Sequence, residues 1–138
     1  MAILAEATPR ELATGLAQVG APLDNIELRS PDVGLVMVRG RIGGDGAPFN
    51  LGEATVTRAR VQLPSGEIGC AYIVGRDRDK ARLAALGDAL WQTAAYRDAI
   101  EQHVLTPIRA RQELERARKR AQVAATRVDF FTLVRGEN

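Results

Sequence analysis

The strongest constraint on this chain is a change of hydrophobic period near Asp77. Between residues 25 and 75 the pattern is that of strands, with apolar residues at every second position in several stretches, the spacing of a strand with one buried face. Ile26 and Leu28 alternate with Glu27 and Arg29, and Gly34 to Ile42 is rich in Val and Leu. Glu53 to Leu63 alternates again, with several Thr and Val, and Glu67 to Val74 follows the same rule. The links are short: Gly43-Gly44-Asp45-Gly46-Ala47-Pro48 and Pro64-Ser65-Gly66. Short links favour antiparallel neighbours, because a parallel crossover needs a dozen residues or more.

On either side the period is helical. Thr8-Pro9-Arg10-Glu11 has a capping Thr, a Pro suited to the first helical position and a Glu at capping-box spacing. Leu12, Leu16 and Val19 follow, and Gly20 with Pro22 ends the helix. From Asp77, a candidate cap, Leu83, Leu86, Leu90 and Ile100 form an apolar stripe, with a local break allowed at Gly87. Thr106-Pro107 repeats the logic of Thr8-Pro9 and predicts a helix to about Thr126. The segment Val128 to Arg135 reads as an apolar extended tail. The expected fold is α+β: a mostly antiparallel sheet of three to four strands, an N-terminal helix, two to three C-terminal helices, and the tail. At 138 residues, 46% apolar and 26% charged, residues 1–138 are expected to form a single domain.

Several function classes are disfavoured. One cysteine, Cys70, cannot build a disulfide framework or a Cys-rich zinc site. The same count cannot hold an iron–sulfur cluster within the chain. One histidine, His103, makes a poor metal site without a cysteine partner, so no metal ligand is assigned. No run approaches the roughly 18 apolar residues of a membrane span. The N-terminus lacks a basic segment followed by an apolar one, so a cytoplasmic location is the expectation. The net charge is only +2, with 6 basic and 8 acidic residues in 1–75 against 13 and 9 in 76–138. That asymmetry permits an anionic partner without requiring one.

The residues that can carry chemistry are few. Arg39 and Arg41 share one strand face, and so do Arg58 and Arg60. With suitable pairing the four guanidiniums would cluster to bind a phosphate or a partner; otherwise they are solvated strand residues whose stems cover apolar neighbours. The glycine-rich loop 43–46 lacks the spacing of a P-loop and is followed by a strand, so a flexible connection is the plainer reading. Cys70 reads as a small buried strand residue and His103 as a helix residue, without local support for a nucleophilic pair. Asp77, Asp79 and Asp88 read as cap or helix-surface residues. The basic run 109–120 has Arg109–Glu113, Arg111–Glu115 and Glu115–Lys119 at i, i+4 and no interleaved aromatics, which argues against nucleic acid. Phe130, Phe131, Leu133 and Val134 either close the domain's own sheet or dock on another chain. No catalytic residue stands out.

These residues resemble the PhnG family, a subunit of the bacterial carbon–phosphorus lyase system. The likeness lies in Arg41-Ile42-Gly43-Gly44-Asp45-Gly46 with Phe49, Gly52 to Ala59, Gly75-Arg76-Asp77, Asp88-Ala89-Leu90 and Thr126 to Gly136. The resemblance implies a small cytoplasmic protein of phosphonate catabolism that assembles with PhnH, PhnI and PhnJ. With PhnI, PhnH and PhnL it implies a part in displacing adenine from ATP by an alkylphosphonate, giving ribose 1-phosphonate 5-triphosphate. PhnI then looks like the catalytic chain, and PhnJ, a radical iron–sulfur enzyme, performs the later cleavage. It supplies no catalytic residue here, implies no cofactor held by this chain alone, and makes ATP a substrate of the complex. Alternatives are a scaffold needed only for assembly, or a basic nucleic-acid-binding module.

Overall fold

The computed structural model describes residues 1–126. Two helices, α1 (Ala2–Glu6) and α2 (Pro9–Val19), precede strands β1 (Ile26–Arg41), β2 (Pro48–Gln62) and β3 (Ile68–Val74). Helix α3 (Arg78–Gln92) follows, then α4 (Ala94–Ile100), a π-helical segment (Glu101–Leu105) and α5 (Thr106–Ala125). The sheet is antiparallel in the order β1-β2-β3. The fold is therefore α+β with three strands, as the change of period predicts.

Local chemistry explains most of the boundaries. The capping box at Thr8 is complete: Glu11 N–H donates to the Thr8 hydroxyl at 3.2 Å, and Thr8 N–H donates to the Glu11 carboxylate at 2.7 Å. Gly20 then turns left-handed at φ 64° and closes α2. Asp77 caps α3 by accepting Lys80 N–H at 2.9 Å. Gly75, at φ 101°, turns the chain from β3 toward that cap, a conformation open to glycine at little cost.

Four features depart from the sequence reading. The first two expected strands are one continuous β1, which carries Pro31 and absorbs register shifts between Glu27 and Arg29 and between Arg29 and Asp32. Proline is tolerated there because β1 is an edge strand. Gly87 does not break α3; it lies on the buried face beside Leu4 and Leu16. The break falls at Thr93, where Arg97 donates to the Trp91 and Gln92 carbonyls at 3.2 and 3.3 Å and takes over the end of α3. Thr106-Pro107 starts no independent helix, since α4, the π segment and α5 run on without interruption. Proline lacks the N–H of an α-helical ladder and crowds the carbonyl four residues back. The π turn immediately before it relieves both problems.

The helices cover one face of the sheet. Thr57, Ala59, Val61, Ala71 and Ile73 point into the core, with Leu12, Leu90, Ile100, Val104 and Ile108 opposite. The α3 face is almost entirely small: Ala81, Ala84, Ala85 and Ala89 are buried. That lets the helix come so close that a Cβ on Gly69 would meet the Ala85 carbonyl oxygen at 1.9 Å and the Ala89 nitrogen at 2.6 Å. The same helix closes the outer edge of β3. Cys70 N–H donates to Asp88 at 3.1 Å, and the Gln92 side-chain amide donates to the Ile68 carbonyl at 2.9 Å. Asp88 is thus neither cap nor bare surface; it answers backbone groups that an edge strand would leave open.

Gly69→Ala is expected to destabilise the domain by about 3 kcal/mol or more, because the clash is with backbone rather than with a movable side chain. A urea titration followed by circular dichroism measures it, and an unchanged midpoint would contradict the packing described.

Candidate functional site

Among the described residues nothing covers the face of the sheet away from the helices. Alternation places Arg58 and Arg60 of β2 and Cys70, Tyr72 and Val74 of β3 on it. Tyr72 is 58% and Val74 81% exposed. Cys70 is therefore a half-exposed residue of the open face, not a buried one. His103 belongs to the helical layer on the other side, in a groove with Thr14 and Gln18 of α2. The sheet separates them, so they form no nucleophile–base pair.

The register decides the fate of the four arginines. Arg58 lies opposite Asp32 and Arg60 opposite Arg29. Arg39 lies opposite Asn50 and Arg41 opposite Pro48. Asn50 is eight residues from Arg58 along β2, roughly 26 Å at about 3.3 Å per residue. Alternation along β1 also puts Arg39 and Arg41 on the face shared with Val33 and Thr57, opposite to that of Arg58. The four guanidiniums do not cluster. Arg41 instead donates to the Gly46 carbonyl at 3.2 Å and braces the hairpin turn.

That turn is where the glycine-rich segment sits. Gly43 and Gly44 are left-handed, at φ 65° and 89°, and Gly46 N–H donates to the Ile42 carbonyl at 3.0 Å. The loop caps a long two-stranded ribbon. Strand β3 pairs with β2 only over Val56 to Gln62, so among the described residues the β1–β2 hairpin beyond Gly34 continues without a third strand. Leu35, Met37, Ile42, Phe49 and Leu51 are exposed along it, Ile42 by 74% and Leu51 by 66%. An isolated two-stranded hairpin is marginal in water, and an apolar surface of this kind marks an interaction site.

A smaller site replaces the predicted cluster. Arg29, which the sequence reading passed over, joins Arg58 and Arg60 around a cleft of about 140 Å³, with Cys70 and Tyr72 on its wall. One carboxylate organises it: Asp32 accepts from Arg58 Nη2 at 2.6 Å and lies 2.9 Å from Arg29 Nε. Gly34 provides the floor, since a Cβ there would come within 2.9 Å of Arg58 Nη2. The Arg58 hydrogen bond, helped by the charge of Arg29, holds the Asp32 carboxyl below the usual aspartate value. The only sequence signal for Arg29 was its place beside Glu27 in the alternation against Ile26 and Leu28; its pairing with Arg60 depends on the two shifts that flank it.

Helix α5 is the third exposed feature. Arg111 anchors its first half, donating to Glu11 and to the Glu6 carbonyl at 3.2 Å, and pairing with Glu115 at 2.9 Å. From Glu113 to Ala125 every residue is exposed. Of the predicted i, i+4 pairs, Arg111–Glu115 forms. Arg109 turns instead to Glu101 at 2.8 Å, and Glu113 takes Arg120 at 2.5 Å. Phe130, Phe131, Leu133 and Val134 lie outside the described residues. Among the described residues no helix is long and apolar enough to cross a membrane, and no group of three or more His, Cys, Asp or Glu is placed to hold a metal.

An open sheet face, an apolar ribbon and a projecting helix around a small core give the chain the exposed surfaces of a subunit. The chain belongs to the PhnG family of phosphonate metabolism proteins, whose model matches residues 1–136. It is also 50% identical to the alpha-D-ribose 1-methylphosphonate 5-triphosphate synthase subunit PhnG of Rhizobium meliloti (strain 1021), over 138 residues that make up all of this chain and 88% of that relative.

Because its folded value is lowered, ionised Asp32 stabilises the fold above the ordinary aspartate value of 3.8. That contribution is lost as the pH falls through the lower folded value. Carboxyl NMR titration is expected to place Asp32 below 3.8 in the wild type and to return it toward 3.8 in Arg58→Gln. An Asp32 that titrates alike in both proteins would remove the anchoring role.

Proposed function

We propose that this chain is an accessory subunit of the carbon–phosphorus lyase system, required with PhnI, PhnH and PhnL for displacement of adenine from ATP by an alkylphosphonate. The product is ribose 1-phosphonate 5-triphosphate. The observation that carries the reading is the whole-chain likeness to a subunit of the ribose 1-methylphosphonate 5-triphosphate synthase. The geometry supports the accessory role. The described residues offer apolar docking surface in plenty. In this reading PhnI carries the chemistry, ATP is a substrate of the assembly, and this chain holds no cofactor on its own. PhnJ joins the same hetero-oligomer for the later cleavage, and the assembly works in the cytoplasm.

The docking elements in this reading are the ribbon and the tail. Leu35, Met37 and Leu51 enter a partner subunit together, while Phe130, Phe131, Leu133 and Val134 add to another chain. Arg39 and Arg41 follow the ribbon into the interface, where they meet acidic groups of the partner.

Omitting this chain from a mixture of PhnI, PhnH and PhnL is expected to abolish phosphonate-dependent adenine release, and the chain alone is expected to release none. Full release without it would overturn the proposal. Assembly is tested separately by co-purification with PhnI. Leu35→Asp with Leu51→Asp, and Phe130→Ser with Phe131→Ser, are each expected to lower recovery by about tenfold or more, the effect of losing roughly 1.4 kcal/mol. Undiminished recovery would remove the altered segment from the interface.

A further inference from the structure

The cleft around Arg58 has features that an isolated sheet face does not explain. Arg29 and Arg60 are direct cross-strand partners. Like charges in that position destabilise a sheet, so the pairing costs stability unless something neutralises it. Asp32 engages Arg29 and Arg58 but not Arg60, and among the described residues no carboxylate lies within ion-pair distance of Arg60. Three guanidiniums against one carboxylate leave a local charge of +2 on the residues around a cleft of about 140 Å³. In addition, two buried atoms of the central pair, Arg58 Nε and Asp32 Oδ1, make no hydrogen bond among the described residues. A buried donor without an acceptor costs about 1–3 kcal/mol, and native structures rarely keep one without a reason.

We infer that this cleft is an anion site that takes one tetrahedral phosphoryl or phosphonyl group, held by Arg29, Arg58 and Arg60. The charge balance favours a dianion, since a single carboxylate would leave half of the excess uncompensated. The volume suits one such group and excludes a whole nucleotide. Guanidinium suits the task because its planar fork donates two parallel hydrogen bonds to such oxygens. Asp32 and Gly34 act beforehand: the carboxylate holds two of the three guanidiniums, and the missing Cβ lets Arg58 lie flat along the strand. Tyr72, exposed at the rim, provides a surface for whatever the group is attached to. The site stands apart from the ribbon and the tail, so it does not depend on the subunit reading.

The test uses the full purified chain and three probes: inorganic phosphate, methylphosphonate and tripolyphosphate. Saturable binding is followed by amide NMR shifts at Arg29, Arg58, Arg60 and Tyr72 and by calorimetry, at low and at physiological salt. The proposal expects one site per chain. It expects Arg60→Gln, an exposed substitution that keeps the fold by circular dichroism, to weaken binding by about tenfold or more, the range for a hydrogen bond to a charged group. Tighter binding of methylphosphonate than of tripolyphosphate would assign the group to a free phosphonate, and the reverse order to a polyphosphate chain. Absence of saturable binding for all three probes, or equal affinity in Arg60→Gln, would overturn it.

Discussion

The contact on which the rest of the molecule depends is the close approach of α3 to β3. Gly69 presents bare backbone to the Ala85 carbonyl, and a row of alanines on α3 keeps that approach possible. Small residues give up area, yet they bring Asp88 and Gln92 within reach of the β3 edge, where they meet Cys70 N–H and the Ile68 carbonyl. One helix therefore buries half of the sheet and also terminates it on that side. The remaining helices stack behind α3, with Arg111 tying α5 to α1 and α2 through Glu6 and Glu11.

Because that layer covers a single face, the opposite face has no cover among the described residues, and neither does the half of the hairpin that outruns β3. A chain with this distribution has its own core but leaves large apolar surface in water, a pattern that fits a part of an assembly. The arginines follow the same division. Arg58 and Arg60 stand over the three-stranded region, where Asp32 and Gly34 position Arg58. Arg39 and Arg41 stand near the tip of the ribbon, where one of them braces the turn.

Much of the architecture was legible because it rests on local rules. The Thr8–Glu11 box, the Gly20 stop and the Asp77 cap each need only residues within one helical turn, and all three are present. The strands from Glu53 onward followed from alternation, which burial of one face imposes. Where local signals competed with packing, packing prevailed. Gly87 looked like a break but lies against Leu4 and Leu16, while the actual break at Thr93 is stabilised by Arg97. Thr106-Pro107 repeated the motif of a helix start, yet a π turn carries the helix through it.

By itself the sequence determined the α+β class, the sheet set between helical segments, the antiparallel sense of that sheet and the family likeness, because these depend on residue period, turn residues and link length. It did not determine which arginines meet. Alternation assigns a residue to a face but carries no information about its neighbour across the sheet. That neighbour depends on the shifts around Arg29 and on where β3 stops along β2. A displacement of one residue in pairing moves a side chain to the other face. The tertiary structure therefore replaced an expected group of four arginines with Arg29, Arg58 and Arg60 around Asp32, and it separated Cys70 from His103 by the thickness of the sheet.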